Sequence, residues 1–116
     1  MQTILIVDDH AGFRALARRL LDDAGFDVVG EAEDGAAAVE SALRLRPAVV
    51  LLDVQLPDFD GFEVARRLDD AGLGAALVLI STRESSAYRR RLAASPARGF
   101  IPKSELSART LAELVG

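Results

Sequence analysis

Four short stretches of this chain carry side chains that could do chemistry together: Asp8-Asp9, Asp53, Ser81-Thr82 and Lys103. Taken singly, each has an ordinary reading. A lone aspartate after an apolar run is commonly a turn former or helix cap, and Asp34, Asp58 and Asp60 are expected to be such cases. Ser81 alone would be a loop hydroxyl and Lys103 a solvated charge. Gathered on one rim they form a different object. Three crowded carboxylates repel, and at neutral pH they need a raised pKa or a cation. A hard divalent ion such as Mg2+ meets that need, because it takes one or two carboxylates, keeps several waters and shares itself with a phosphate. A carboxylate beside it can attack a phosphoryl group and become an acyl phosphate. The equatorial oxygens then call for a hydroxyl donor and a cation, and Ser81 and Lys103 are available for both.

The elements that must gather these residues show as alternating apolar runs and helical stretches. Strands are predicted over Thr3–Val7, Asp27–Ala32, Val49–Leu52, Ala76–Ile80 and Gly99–Ile101. Helices are predicted over Ala11–Ala24, Gly35–Leu45 (ended by Pro47), Gly61–Ala71, Ser85–Ala94 and Ser104–Val115. Strands apolar on both faces belong in a sheet covered on two sides, and strict alternation gives a parallel α/β sheet with right-handed crossovers. Five such units are too few for an eight-fold barrel, so the expected fold is an open, doubly wound, five-stranded parallel sheet with five helices. Ligands of such sheets bind beyond the carboxyl ends of the strands. The four stretches above sit at those ends.

Composition narrows the function. With 116 residues, half of them hydrophobic, residues 1–116 are expected to form a single domain. The absence of Cys excludes a disulfide framework, a thiolate nucleophile and a zinc–thiolate site. No signal peptide is evident and no apolar run approaches the ~20 residues of a membrane span, so a cytoplasmic location without membrane association is expected. Residues 1–60 carry a net charge of −7 and residues 61–116 a net charge of +3. An acidic domain of this kind is a poor direct nucleic-acid binder. Thirteen of the 14 basic residues are Arg and one, Lys103, is Lys. An ammonium is a compact point charge, whereas the Arg fork suits a different geometry. The basic run Arg89-Arg90-Arg91 reads either as a solvated helix face or as part of a partner surface.

Taken in order, Ile6-Val7-Asp8-Asp9-His10, Asp53-Val54-Gln55-Leu56-Pro57-Asp58-Phe59-Asp60-Gly61, Leu79-Ile80-Ser81-Thr82 and Gly99-Phe100-Ile101-Pro102-Lys103-Ser104 resemble the response-regulator receiver domain of two-component signalling. The resemblance covers essentially the whole chain and is strongest to the NarL/FixJ (LuxR-like) subfamily. It implies a flavodoxin-like strand order 2-1-3-4-5. It further implies Asp53 as phosphoacceptor, and Mg2+ held by Asp8, Asp9, Asp53 and the backbone carbonyl of Gln55. Lys103 would contact the phosphoryl group, Ser81 would be the switch hydroxyl and Phe100 would stand at the switch-aromatic position. The donor would be a sensor histidine kinase or phosphotransfer protein. The output would be a conformational change, with a phosphorylation-dependent homodimer or a DNA-binding domain beyond this chain as its readers. Such a domain is no turnover enzyme and catalyses only its own phosphorylation and dephosphorylation.

The chain also departs from that pattern. Pro102 precedes Lys103 and Ser104 follows it, whereas receivers commonly place Pro after the Lys across a cis bond; a cis Lys103–Ser104 bond would cost roughly 3–4 kcal/mol. Thr82 stands where a small residue is common and would narrow access to Asp53. Gln55 and Arg83 occupy positions where the family tunes phosphoryl lifetime, with Arg83 either over the site or in solvent. Tyr88 is expected to decorate the helix after strand four. Two other functions are compatible with the acids: a haloacid-dehalogenase-type phosphohydrolase, which wants Asp-x-Asp rather than adjacent acids, and a degenerate receiver serving only as an interaction module.

Overall fold

Strands that are apolar along their whole length exclude water only when helices cover both faces of their sheet. In the computed structural model, which describes residues 2–115, that is the arrangement found. Strands β1 (Thr3–Val7), β2 (Asp27–Ala32), β3 (Val49–Asp53), β4 (Ala76–Ser81) and β5 (Gly99–Pro102) form one parallel sheet in the order β2-β1-β3-β4-β5. The helices are α1 (Ala11–Asp23), α2 (Gly35–Leu45), α3 (Gly61–Asp70), α4 (Arg89–Ala93) and α5 (Ala108–Val115).

Side chains alternate across the sheet and build two cores. Ile4, Ile6, Val49, Leu51, Val78 and Ile80 face α1 and α5, where Ala17, Leu21, Leu111 and Val115 meet them. Leu5, Val7, Val50, Leu52, Leu77 and Leu79 face α2 and α3, packing on Ala38, Ala42, Val64 and Leu68. The three inner strands are almost wholly buried, and the edge strands β2 and β5 only partly so. Removing one such side chain to Ala typically costs about 2–5 kcal/mol, which is how a 116-residue chain holds a charged rim in place.

Helix ends follow local chemistry. Asp34 and Asp60 cap α2 and α3, accepting from the N–H groups of Ala37 and Glu63. Arg46 closes α2 in the left-handed conformation at φ 47°, a position from which Pro47 prevents the helix continuing. Two expected helices differ. Ser85–Ala94 is not one helix: Ser85–Tyr88 is a 3-10 turn that leads into a five-residue α4. The expected helix over Ser104–Val115 begins only at Ala108, because Lys103–Glu105 forms a 3-10 turn and Ser107 pairs with Thr110 through side-chain and backbone bonds at the helix start. The Lys103–Ser104 bond is trans, as is every peptide bond among the described residues.

Gly61, the first residue of α3, lies against the end of β3. A Cβ there would stand 2.3 Å from the backbone oxygen of Asp53 and 3.1 Å from Cα of Val54, and no flexible side chain is available to yield. Gly61→Ala should therefore cost about 1–3 kcal/mol in urea unfolding; a variant as stable as the wild type would show that this contact is soft.

Candidate functional site

Asp8 directly follows β1 and is fully buried; its N–H donates to Ala32 O across the sheet edge at 3.0 Å. Its Oδ1 accepts from the N–H of His10 at 2.8 Å, which folds the chain into α1. Arg14, one turn into α1, donates from Nη1 to the Asp8 carbonyl and from Nε to Glu31 on β2. Asp53 ends β3, is 3% exposed, and accepts at Oδ1 from the N–H of Gln55 at 3.2 Å. Lys103 reaches in from beyond β5. Its Nζ stands 2.6 Å from Asp8 Oδ2, 3.2 Å from Asp53 Oδ2 and 4.6 Å from the ring centre of Phe13.

These three groups decide the electrostatics. Burial and the neighbouring charge of Asp8 push the Asp53 carboxyl above its usual range, and the opposing pull of Lys103 and the Gln55 N–H does not cancel them. Burial works against the Lys103 charge, but its bond to Asp8 and the fields of Asp53 and Asp8 outweigh that, so its ammonium is held above the usual lysine range. Two buried carboxylates thus share one cation. Asp8 Oδ2 has this ion pair alone: beyond the 2.6 Å contact with Lys103 Nζ, the buried oxygen accepts no hydrogen bond.

Asp9 is more exposed and pairs with His10 Nδ1 at 3.2 Å. One ligand atom from each of Asp8, Asp9 and His10 falls within 4.8 Å of the others. His10 thus joins Asp8 and Asp9 in one compact group, while Asp53 faces Lys103 beside Asp8. Ionised Asp8, Asp9 and Asp53 against Lys103 leave two uncompensated negative charges, the charge of one divalent cation. The carboxylate oxygens of Asp8, Asp9 and Asp53, one of them buried without a hydrogen bond, suit a hard ion such as Mg2+.

At the end of β4, Ser81 is buried, and its Oγ accepts from the N–H of Arg83 at 3.1 Å. Thr82 and Arg83 are exposed, as is Gln55. Phe100 is half-buried on β5. Tyr88 overturns its expectation. It does not decorate a helix surface; it is 8% exposed, lies 3.3 Å from Ser81 Oγ through its hydroxyl, and packs between the tilted rings of Phe62 and Phe100. The 3-10 turn aims its side chain inward, a direction that helical spacing did not indicate. The one signal for it was a lone aromatic in a polar stretch.

Two further residues escaped sequence reasoning in their full extent. Asp58 accepts from the N–H groups of Gly35, Ala36 and Phe59, so it ties the loop after β3 to the start of α2. Arg91 bonds to Asp60 and lies over the Phe62 ring, so one member of the basic run is engaged while Arg89 and Arg90 face solvent.

Residues 4–115 match the response regulator receiver domain. The chain belongs to the response-regulator receiver family. This receiver is 36% identical over 102 residues to the transcription regulator BvgA of Bordetella pertussis, covering 88% of this chain and 49% of that protein. It is 36% identical over 104 residues to the response regulator GacA of Pseudomonas protegens, covering 89% and 49%. Among solved structures, the receiver domain of the response regulator NarL from Mycobacterium tuberculosis is similar at a TM-score of 0.88 and 34% identity, covering 99% of this chain and 97% of that one. The receiver spans about half the length of the curated relatives it matches. No helix among the described residues is long and apolar enough to cross a membrane.

The crowding has a measurable sign. Folding raises the Asp53 pKa above its ordinary 3.8, so the stability tied to its neutral form is complete below that value and is lost as pH rises through the elevated one. In metal-free buffer at neutral pH, Asp53→Asn is expected to melt a few degrees higher than wild type, and the difference should vanish toward pH 3. A variant melting at or below wild type at neutral pH would contradict the charge deficit.

Proposed function

We propose that this receiver is a phosphorylation switch in which Asp53 accepts a phosphoryl group from a sensor histidine kinase or a phosphotransfer protein. The observation that supports this most is the placement of Asp53: a buried carboxylate at the end of β3, beside a second buried carboxylate and within reach of the single lysine of the chain. Family membership supports the same reading.

In the transfer, a carboxylate oxygen of Asp53 forms a bond to phosphorus as the phosphorus–nitrogen bond of a phosphohistidine breaks; the electron pair stays on the imidazole, which takes up a proton. Asp8 and Asp9, with Asp53 and the Gln55 carbonyl, would hold a magnesium ion, which when bound neutralises charge on the carboxylates and the incoming phosphoryl oxygens. Lys103 keeps its charge throughout the physiological range and leaves Asp53 Oδ2 to bind a phosphoryl oxygen. Ser81 supplies the hydroxyl donor. Water is limited by burial of Asp8 and Asp53, while exposed Gln55, Thr82 and Arg83 flank the opening and would set how fast the acyl phosphate hydrolyses.

The domain performs no turnover beyond its own phosphorylation and dephosphorylation. Residues 1–116 act as one unit in the cytoplasm, and the change at Ser81 and Phe100 biases a pre-existing equilibrium. The output is read by a second copy or by a DNA-binding segment of a longer protein, as the relatives' length and the printed role of BvgA suggest; the acidic receiver does not itself bind nucleic acid.

Incubation with Mg2+ and acetyl phosphate should add one phosphoryl group by intact mass to wild type and none to Asp53→Asn. An unmodified wild type, or equal modification of both, overturns the assignment. Lys103→Arg retains charge but cannot place a compact ammonium against both carboxylates, so its phosphorylation-dependent changes in amide spectra should be largely lost; a full wild-type response would return Lys103 to a structural role.

A further inference from the structure

Between Thr82 and Arg91 every residue is exposed except Tyr88. This stretch, which connects the end of β4 to α4, is therefore pinned to the body of the protein by one buried side chain. That side chain is held on three sides: Phe62 of α3 and Phe100 of β5 each place their ring centres 5.7 Å from its ring, and Ser81 meets its hydroxyl at 3.3 Å. The only polar atom of the pin thus touches the one hydroxyl that ends β4 beside the carboxylate site.

A serine hydroxyl has one proton and two lone pairs. The N–H of Arg83 already occupies one lone pair of Ser81 Oγ. Phosphoryl oxygens only accept, so Ser81 can bond to them only with its proton. Where Ser81 donates to Tyr88, that proton is already committed; where Tyr88 donates, Arg83 and Tyr88 fill both lone pairs of Oγ and fix its orientation, so in either direction the bond to Tyr88 holds the hydroxyl in place. We propose that Tyr88 is the positioning residue that holds the Ser81 hydroxyl away from Asp53 in the resting receiver, and that phosphorylation switches α4 by taking that hydroxyl from it. The inference rests on Asp53 being the phosphoacceptor.

The consequence for α4 is local and physical. When Ser81 turns to the phosphoryl group, the buried Tyr88 hydroxyl loses its partner, and leaving such a group unsatisfied is unfavourable. The pin is then favoured to move to a position where the hydroxyl meets water, and the stretch it anchors moves with it. Phe100, which packs on the ring of Tyr88, follows as a neighbour and has no hydrogen-bonding group with which to sense Ser81 itself. Arg91, bonded to Asp60 and seated over Phe62, gives α4 a second attachment, about which the segment can turn.

The chain contains one tyrosine and no tryptophan, so its intrinsic tyrosine emission belongs to Tyr88 alone. The test adds beryllofluoride, a tetrahedral phosphoryl mimic, with Mg2+, and counts bound mimic by fluorine NMR while following that emission. In the wild type, emission should change in step with occupancy. In Ser81→Ala, at a mimic concentration that fills the site, the change should disappear. Tyr88→Phe keeps both ring contacts and removes only the restraint, so it should bind the mimic roughly threefold to tenfold more tightly, the range expected for one net hydrogen bond. Bound mimic with silent emission in wild type overturns the role of Tyr88 and leaves the phosphoacceptor assignment standing. Equal or weaker binding by Tyr88→Phe overturns it as well. A wild type that binds no mimic removes the phosphoacceptor reading and this inference with it.

Discussion

Two buried carboxylates compete for one ammonium, and the rest of this structure is arranged around that contest. Asp8 and Asp53 lie at the ends of adjacent strands, where parallel pairing of β1 with β3 leaves them side by side. Burial drives Asp53 toward its neutral form. Lys103 answers part of the charge from 50 residues further along the chain than Asp53. Removing the shared cation of such a buried group commonly costs about 3–5 kcal/mol, because the carboxylates are left stranded. A surface pair such as Arg109–Glu113 contributes about 1 kcal/mol at most. The site is therefore sensitive to any added charge, positive or negative, and that sensitivity is what a charge-operated switch requires.

The hydrophobic sheet makes this tension tolerable. Ile4, Leu5, Ile6 and Val7 precede Asp8, and Val49 to Leu52 precede Asp53, all without exposed surface. These runs anchor the acids so that repulsion cannot simply move them apart. Gly61 lets α3 start directly against the Asp53 carbonyl, and Asp58 fastens the intervening loop to α2. The side of the site formed by β1, β3 and α2 is over-determined by backbone bonds. The side formed by the segment after β4 is not; it depends on Tyr88 and Arg91. The rigid part of the structure holds the two buried carboxylates, and the segment after β4 is the sparsely anchored part.

Much of this was legible from residue order. Five apolar runs alternating with helical stretches define the doubly wound sheet, and acids, a hydroxyl and a lysine at strand ends define the rim, because strand direction in a parallel sheet forces those ends together. Asp34 and Asp60 were readable as caps from their position before helices. Helix boundaries after β4 and β5 were less readable, since 3-10 turns carry no periodicity of their own and short segments do not reveal which way a side chain points.

The sequence by itself determined the fold, the family and the composition of the charged rim, because each follows from local pattern and chain direction. Only the tertiary structure decided how those charges pair. It placed Lys103 against Asp8 as well as Asp53, left Asp8 Oδ2 with no hydrogen bond beyond that ion pair, grouped His10 with Asp8 and Asp9, and turned Tyr88 inward onto Ser81. Those outcomes depend on distances of a few ångströms between residues far apart in the chain. Such distances are set by how helices seat on the sheet, and no spacing along the chain encodes them.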